Sequence, residues 1–420
     1  MQEKIEEIME AARAHKDLYE HALPMIASEN ITSGAVRKLL ASDLSHRYAE
    51  GDVGDRFYQG CKYIDVIEGK AIEYAKELFN AEHVNVKPIS GVNANIATLF
   101  ALTSPGDIIM ALSVPDGGHI SHAKYSVPGI RNLKLHEFPF DPKEMNINVD
   151  AMVREIKEKK PKLILFGASL FLFPHPVQEA RAAADEVGAK IVYDGAHVLG
   201  LIAGKRFQDP LREGADVVTS STHKTFPGPQ GGIILCKRAV KDEIDEAVFP
   251  GTVSNHHLHH VAGLAVTLVE MMQFGEEYAA QIQSNAKALA QYLYEDGFEV
   301  LCEHKGFTES HQVAVDVRGF GGGDRVAKKL ENAYIIINKN MFSYDKSPEK
   351  PAGIRLGVQE LTRLGMKDSE MREVASLIRR VVIRGEDENR VKEEVVALKK
   401  DFCNVRYCFD DGDAYKNLVV

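Results

Sequence analysis

A chain of 420 residues exceeds the roughly 250–300 residues at which one hydrophobic core stops growing, so two domains are expected. Its 45% hydrophobic and 27% charged residues are ordinary for soluble proteins, and no apolar run nears the roughly 20 residues that cross a bilayer. With 51 Lys+Arg against 61 Asp+Glu the net charge is -10, and without a basic patch this argues against a nucleic-acid partner.

The start, Met1-Gln2-Glu3-Lys4-Ile5-Glu6-Glu7, alternates charges rather than following the order of a secretion signal, which makes cytoplasm the expected location. Residues 1–20 read as a detached helical arm. Asp65 to Phe79 has helical spacing, with Ile67, Ala71, Ala75 and Leu78 on one face. Strand-like Val84-Asn85-Val86 leads through Ser90-Gly91-Val92-Asn93-Ala94-Asn95 into a helical run from Ile96 to Leu102. Five further runs, Ile108 to Leu112, Lys162 to Phe166, Lys190 to Asp194, Asp216 to Ser220 and Gly232 to Cys236, are apolar at successive positions. Such runs mark strands covered on both faces. Val177 to Val187 supplies a helical crossover. Helical patterns from Val261 to Phe274 and from Tyr278 to Tyr294 follow, then strand-like runs at 298–302, 312–317 and 334–337 mixed with helices. The charge-rich stretch from Lys392 to Asp413 reads as a solvated helix and an acidic tail. The predicted organisation is the arm 1–20, a large α/β domain 21–274 with a mostly parallel central sheet, and a small α+β domain 275–420.

A lysine that carries a carbonyl cofactor needs a rigid element and partners for the rest of the cofactor. Lys224 closely follows a buried strand and precedes Pro227-Gly228-Pro229-Gln230-Gly231-Gly232, which suits close backbone approach to a ligand. Asp194, in Asp194-Gly195-Ala196-His197, ends a strand at the sheet edge where α/β folds bind ligands. It pairs with a protonated pyridine nitrogen or caps the next turn. Ser90 and Gly91 open a helix whose free amides suit a phosphate, or Ser90 is an ordinary helix cap. His119, in Asp116-Gly117-Gly118-His119, stacks on a planar ring or fills a turn. Arg355, in Gly353-Ile354-Arg355-Leu356-Gly357, receives an amino-acid carboxylate or closes an internal ion pair. The cluster His256, His257, His259 and His260 has no supporting pattern of metal ligands, and no metal is expected. The five scattered cysteines (Cys61, Cys236, Cys302, Cys403, Cys408) form no C-x-x-C pair, disulfide framework or zinc knuckle.

Taken together the motifs resemble those of serine hydroxymethyltransferases, archaeal members above all, over about residues 20 to 420. The most specific are Leu23-Pro24-Met25-Ile26-Ala27-Ser28-Glu29-Asn30, His46-Arg47-Tyr48-Ala49-Glu50-Gly51, Arg56-Phe57-Tyr58-Gln59-Gly60-Cys61, Asp194-Gly195-Ala196-His197, Thr222-His223-Lys224-Thr225 and Gly353-Ile354-Arg355-Leu356-Gly357. The resemblance implies a fold-type I pyridoxal-phosphate transferase, aspartate-aminotransferase-like, that interconverts serine and glycine and passes a one-carbon unit to a tetrahydropterin. It implies that Lys224 carries the cofactor, Asp194 meets the pyridine nitrogen, His119 stacks on the ring, and Ser90 and Gly91 take the phosphate. Ser169 and His197 fall near the phenolic oxygen, and His223 joins the cofactor set. Arg355 with Ser28 takes the substrate carboxylate. Glu50 is the acid/base at the substrate hydroxyl, a role that calls for a partly desolvated carboxyl. Tyr48 and Tyr58 stand beside it, and these three with the loop at Gly251 reach into the neighbouring subunit's site of a homodimer.

Val114, Gly118 and Asn340 match the pterin pattern. Val92, Gln230 and Thr252 depart from the common residues, a serine, an arginine and a glycine, around the phosphate and the cofactor loop. His256 to His260 and Phe342-Ser343-Tyr344 look unlike the folate enzymes, which points to tetrahydromethanopterin rather than tetrahydrofolate. A pterin-independent aldolase acting on threonine or another β-hydroxy amino acid is the competing enzyme reading. A tRNA-binding or partner-binding relative is the competing non-enzyme reading.

Overall fold

The computed structural model describes residues 2–415. Met1 of the predicted arm and residues 416–420 of the predicted small domain lie outside the described residues. Two compact units emerge, one of residues 35–280 and one joining residues 1–34 to 281–420. The division therefore falls after Ala280 rather than near Phe274. Residues 21–34, assigned from sequence to the large domain, belong with the C-terminal unit because Leu23–Pro24 pairs in parallel with Ile335–Ile336.

The unit of residues 35–280 is built on seven strands, β1 (His83–Asn85), β2 (Ile108–Ala111), β3 (Lys134–Glu137), β4 (Leu163–Phe166), β5 (Lys190–Asp194), β6 (Val217–Ser221) and β7 (Gly232–Cys236). Their order in the sheet is β1-β7-β6-β5-β4-β2-β3. Only β7 runs against its neighbours. Every residue of β4, β6 and β7 is buried, which explains the unbroken apolar runs of β4 and β7, whereas β6 buries the polar Thr219, Ser220 and Ser221 at its end. Helices cover the sheet because an all-apolar strand must be buried on both faces. Lys62–Phe79 (α1), Gly91–Leu102 (α2) and Val177–Val187 (α3) are three of them. Ala94 and Ala97 of α2 lie with Ile109, Leu163, Val192, Val217 and Ile234 in one core.

The two helical patterns after Val261 are one continuous helix, Leu258–Glu295 (α4). The boundary expected near Phe274 falls inside this helix. Gly204 packs against it, since a Cβ on Gly204 would fall 2.4 Å from the Gly275 carbonyl oxygen.

In the other unit, Glu299–Val300 (β8), Gln312–Asp316 (β9), Asn338–Asn340 (β10) and Gly353–Gly357 (β11) form an antiparallel sheet in the order β8-β9-β11-β10. The predicted strand at 334–337 pairs instead with Leu23–Pro24, outside this sheet. The predicted helix in the tail is Glu388–Lys399. Gln359–Arg363 (α5) carries Glu360, 5% exposed. Burial pushes the Glu360 carboxyl up to about 8, the charge of Glu29 adds to this, and Lys399 opposes it.

A carboxyl whose proton is held more tightly in the folded state stabilises fully below the ordinary value of 4.5, and that contribution is lost as pH rises to about 8. The wild type should lose unfolding free energy across that window relative to Glu360→Gln. Denaturant titrations at several pH values check this, and parallel curves for the two proteins would contradict it.

Candidate active site

Five strands that run in the same direction, β1, β2, β4, β5 and β6, deliver the segments after them to one edge of the sheet, the position where open α/β sheets bind ligands. Antiparallel β7 starts at that edge, with Gly232 opposite Ser221. The residues between these two, 222–231, therefore form a loop closed at its base. The Thr222 N–H donates to the Gly231 carbonyl (3.3 Å), the Gly228 N–H to the Thr222 carbonyl (3.0 Å), and the Thr222 hydroxyl to the Pro229 carbonyl (2.6 Å). Lys224 sits in this loop and is 8% exposed. The Thr225 hydroxyl donates to the His197 carbonyl at 2.8 Å, tying the loop to the segment after β5.

At this edge a cavity of about 210 Å³ opens, lined by Lys224 and His223 of the loop, by Asp194, Ala196 and His197, and by Ser90, Gly91, Val92 and Asn95. His119, Ala168 and Ser221 complete it. Asp194 is 7% exposed. Its Oδ2 accepts from Asn95 Nδ2 (2.7 Å) and meets His122 Nε2 (3.0 Å), and its Oδ1 accepts from the Ala196 N–H (3.0 Å). Burial alone would raise its pKa. The hydrogen bond and charge of His122, the charge of His119 and the Asn95 amide outweigh burial and hold the carboxyl well below the usual carboxylate range. The Asn95 amide is itself oriented by the Thr219 hydroxyl, 2.6 Å from its Oδ1.

Ser90 is the N-cap of α2, its hydroxyl accepting from the Asn93 N–H at 3.0 Å. The cap reading is thus correct, and the cap lies on the cavity wall. The amides of Gly91 and Val92 precede the first intrahelical bond, from the Ala94 N–H to the Ser90 carbonyl, so they are the orphan donors of the helix start. α2 carries no charged side chain to satisfy them. His119 is likewise both a turn residue and a wall residue. The Ser121 N–H donates to its Nδ1 at 3.1 Å.

His223 Nδ1 and His122 Nδ1 are buried with no hydrogen-bond partner among the described residues. Burial and the neighbouring Lys224 and His260 charges push His223 down to about 4. A primary amine, an ionised carboxylate, a helix N-terminus and an orphaned imidazole nitrogen around one cavity fit the amine-reactive carbonyl, ring nitrogen and phosphate of pyridoxal phosphate.

Other expected residues lie elsewhere. Ser169 neighbours the wall residue Ala168, and its N–H donates to the Gly117 carbonyl at 2.7 Å. Val114 and Gly118 share the turn before His119. Tyr48, Glu50, Tyr58 and Gly251 do not line the cavity among the described residues. Glu50 is half-buried, and its carboxylate accepts from the Ser254 hydroxyl. The rings of Tyr48 and Tyr58 lie 5.4 Å apart.

Arg355, Ser28 and Asn340 belong to the other unit. Arg355 is mid-strand in β11, its Nε donating to Asn338 Oδ1 at 3.1 Å, and burial lowers its pKa to about 10. The Gly357 N–H donates to the Met25 carbonyl at 2.8 Å, which joins the end of β11 to the segment leading to Ser28. Asn340 ends β10.

Of the histidine cluster, His256 turns inward to Glu68 (2.8 Å) and His260 Nδ1 meets the Gln230 carbonyl. Among the described residues, the group of metal-ligating side chains close enough to hold an ion is His119, His122 and Asp194, which belongs to the cavity already described.

Sequence reasoning missed Asn95, His122 and His175. Asn95 was inside the quoted run after Ser90, and His122 lies three residues past His119, so spacing held a signal for both. His175 had none. It is buried, stacks 4.3 Å from Phe171, and its Nδ1 accepts from the Gly167 N–H at 3.2 Å. Burial, with the charge of His122, pushes it down to about 3, so it stays a neutral acceptor.

A mostly parallel α/β sheet that gathers this donor set at its carboxyl edge defines a fold-type I pyridoxal-phosphate enzyme. A family model described as serine hydroxymethyltransferase matches residues 1–378. Curated proteins named serine hydroxymethyltransferase match almost end to end. The one from Methanocella arvoryzae is 63% identical, covering 98% of each chain. That from Methanocaldococcus jannaschii is 60% identical over 94% of each, and that from Archaeoglobus fulgidus 53% identical over 97% of this chain and 94% of its own. The chain belongs to the serine hydroxymethyltransferase family. As a member it is a transferase that interconverts serine and glycine with transfer of a one-carbon unit to a tetrahydropterin, and it depends on pyridoxal phosphate.

Gly167, at φ +116°, passes so close to β5 that an added Cβ would lie 2.4 Å from the Asp194 carbonyl oxygen. Strain of about 1–3 kcal/mol at such a position corresponds to roughly 5- to 150-fold in cofactor affinity when it displaces Asp194. Gly167→Ala should weaken pyridoxal-phosphate binding by that factor in a spectrophotometric titration. Wild-type affinity would refute the link.

Proposed function

We propose that the carboxyl-edge cavity is where this chain performs serine–glycine interconversion, with tetrahydromethanopterin as the carbon carrier. The observation that carries the reading is Asp194, buried yet kept ionised, on the same wall system as Lys224 and the start of α2. When bound, pyridoxal phosphate supplies an electron sink for the pair released as the Cα–Cβ bond of serine breaks.

The chain's residues do the rest. Lys224 would carry the cofactor, and Asp194 would hold the positive charge on its ring nitrogen. The amides of Gly91 and Val92 with the Ser90 hydroxyl would take the phosphate at the positive end of α2. His119 would face the ring, and His197, His223 and Ser169 would serve its remaining polar groups. The forked guanidinium of Arg355, assisted by Ser28, would orient the substrate carboxylate. Glu50 would move the proton of the substrate hydroxyl, with Tyr48 and Tyr58 beside it. Val114, Gly118 and Asn340 would contact the pterin.

Glu50, Tyr48, Tyr58 and Gly251 stand outside the cavity lining on their own unit, while Tyr48 (54%), Phe57 (72%), Tyr58 (44%) and Tyr63 (73%) are exposed. An aromatic surface of this kind supports a homodimer in which these residues serve the neighbouring subunit's site. Cytoplasm is the location in this reading. Among the described residues no helix is long and apolar enough to cross a membrane.

Serine turnover measured with tetrahydromethanopterin and with tetrahydrofolate side by side should favour the former. Equal rates would overturn the carrier, and threonine cleavage faster than either would favour the aldolase reading. Lys224→Ala should show no borohydride-reducible visible chromophore, and Glu50→Gln should transfer the one-carbon unit about 10²-fold more slowly or worse. Mixing the two inactive variants should restore roughly a quarter of wild-type activity if sites are shared, because half the dimers then hold one intact site of two. No restoration would place Glu50 in its own subunit's site.

A further inference from the structure

We propose that Ser254, Asn255 and His256 form a positioning clamp for Glu50, an inference that rests on the reading of Glu50 as the proton-transfer group. The three consecutive residues act on one short segment at three depths. The Ser254 hydroxyl meets the Glu50 carboxylate at Oε1. No other hydrogen bond to that carboxylate occurs among the described residues. Asn255 holds the main chain beneath it, its Nδ2 donating to the Arg47 carbonyl (3.0 Å) and its Oδ1 accepting from the Ala49 N–H (3.0 Å). One side-chain amide thus pairs with residues 47–49 as an adjacent strand would.

His256, 2% exposed, anchors the clamp in the interior. Its Nε2 lies 2.8 Å from Oε2 of buried Glu68, and Arg56 Nη2 donates to the same oxygen at 2.9 Å. Arg56 then returns to the segment, its Nη1 donating to the Ala49 carbonyl (2.7 Å) and the Gly51 carbonyl (2.9 Å). The main chain on both sides of Glu50 is therefore fixed through two routes that converge on 254–256, and its carboxylate is aimed by Ser254. This also accounts for His256, the one member of the histidine cluster turned fully inward. The clamp lies directly after Gly251, so the cofactor loop and the acid/base segment share a mount.

The test measures kcat and serine KM for pterin-dependent turnover in Ser254→Ala, Ser254→Thr, Asn255→Ala and Glu50→Gln, and in the double variant of Ser254→Ala with Glu50→Gln. Thermal midpoints and the cofactor absorbance of each variant establish folding. Ser254→Ala should lower kcat roughly tenfold, the loss of one hydrogen bond to a charged group, with KM changed less than about twofold. Ser254→Thr should restore kcat because it keeps the hydroxyl. Asn255→Ala should lower kcat further with the cofactor spectrum intact. In the Glu50→Gln background Ser254→Ala should have no additional effect.

A wild-type kcat in Glu50→Gln would remove the acid/base assignment itself. A slow Glu50→Gln beside wild-type kcat in Ser254→Ala would overturn the clamp alone, and so would additive losses in the double variant.

Discussion

The carboxylate of Asp194 is surrounded by protein yet bears a charge, and three donors make this possible: a histidine ring, a side-chain amide and a main-chain N–H. An unpaired carboxylate in such a place would take up a proton and lose its use as a counter-charge. The surrounding chain serves that constraint. Thr219 on β6 orients Asn95, α2 carries Asn95 to the cavity, and the turn after His119 brings in His122. His175 and Gly167 fit the end of β4 beneath Asp194. Strand order matters to the chemistry because β5 and β6 are neighbours, which puts the aspartate and the lysine loop at one edge.

Much of the sheet was legible because strands buried on both faces are largely apolar at successive positions, as Ile191 to Tyr193 and Ile233 to Leu235 are. Edge strand β3 was not, since Lys134 and Glu137 at its ends are exposed and leave no apolar run. β11 was quoted only for Arg355, its two terminal glycines masking the strand. The continuity of α4 was hidden by Gly275, a weak helix former that the helix carries in its interior. The assignment of residues 21–34 could not be read, because it rests on contacts far along the chain, the pairing with Ile335–Ile336 and the bonds of residues 25–29 to His311, Gly357 and Gln359.

The site was legible to the extent that function demanded particular residue types. Lys224, Asp194, Ser90, Gly91, His119, His197 and His223 were all expected, and all line one cavity. Positioning residues were harder. Asn95, His122 and His175 act through hydrogen bonds that depend on three-dimensional neighbours, and only the first two lie close in sequence to an expected residue. Two of the three departures from the common pattern are now placed. Val92 is on the cavity wall, and the Thr252 carbonyl accepts from Asn93 of α2 at 3.4 Å, joining the Gly251 loop to the helix that opens on the cavity.

The third departure, Gln230, gains its meaning from the antiparallel entry of β7. Because Ser221 and Gly232 face each other across the sheet, residues 222–231 are a ring closed by its own main chain. Gln230 is exposed on the outer rim of that ring, whereas Lys224 and Thr225 are buried on the inner one. A substitution at exposed Gln230 leaves in place the main-chain bonds that frame Lys224. His260 meets the ring at the Gln230 carbonyl, and its charge reaches His223 beside the buried lysine.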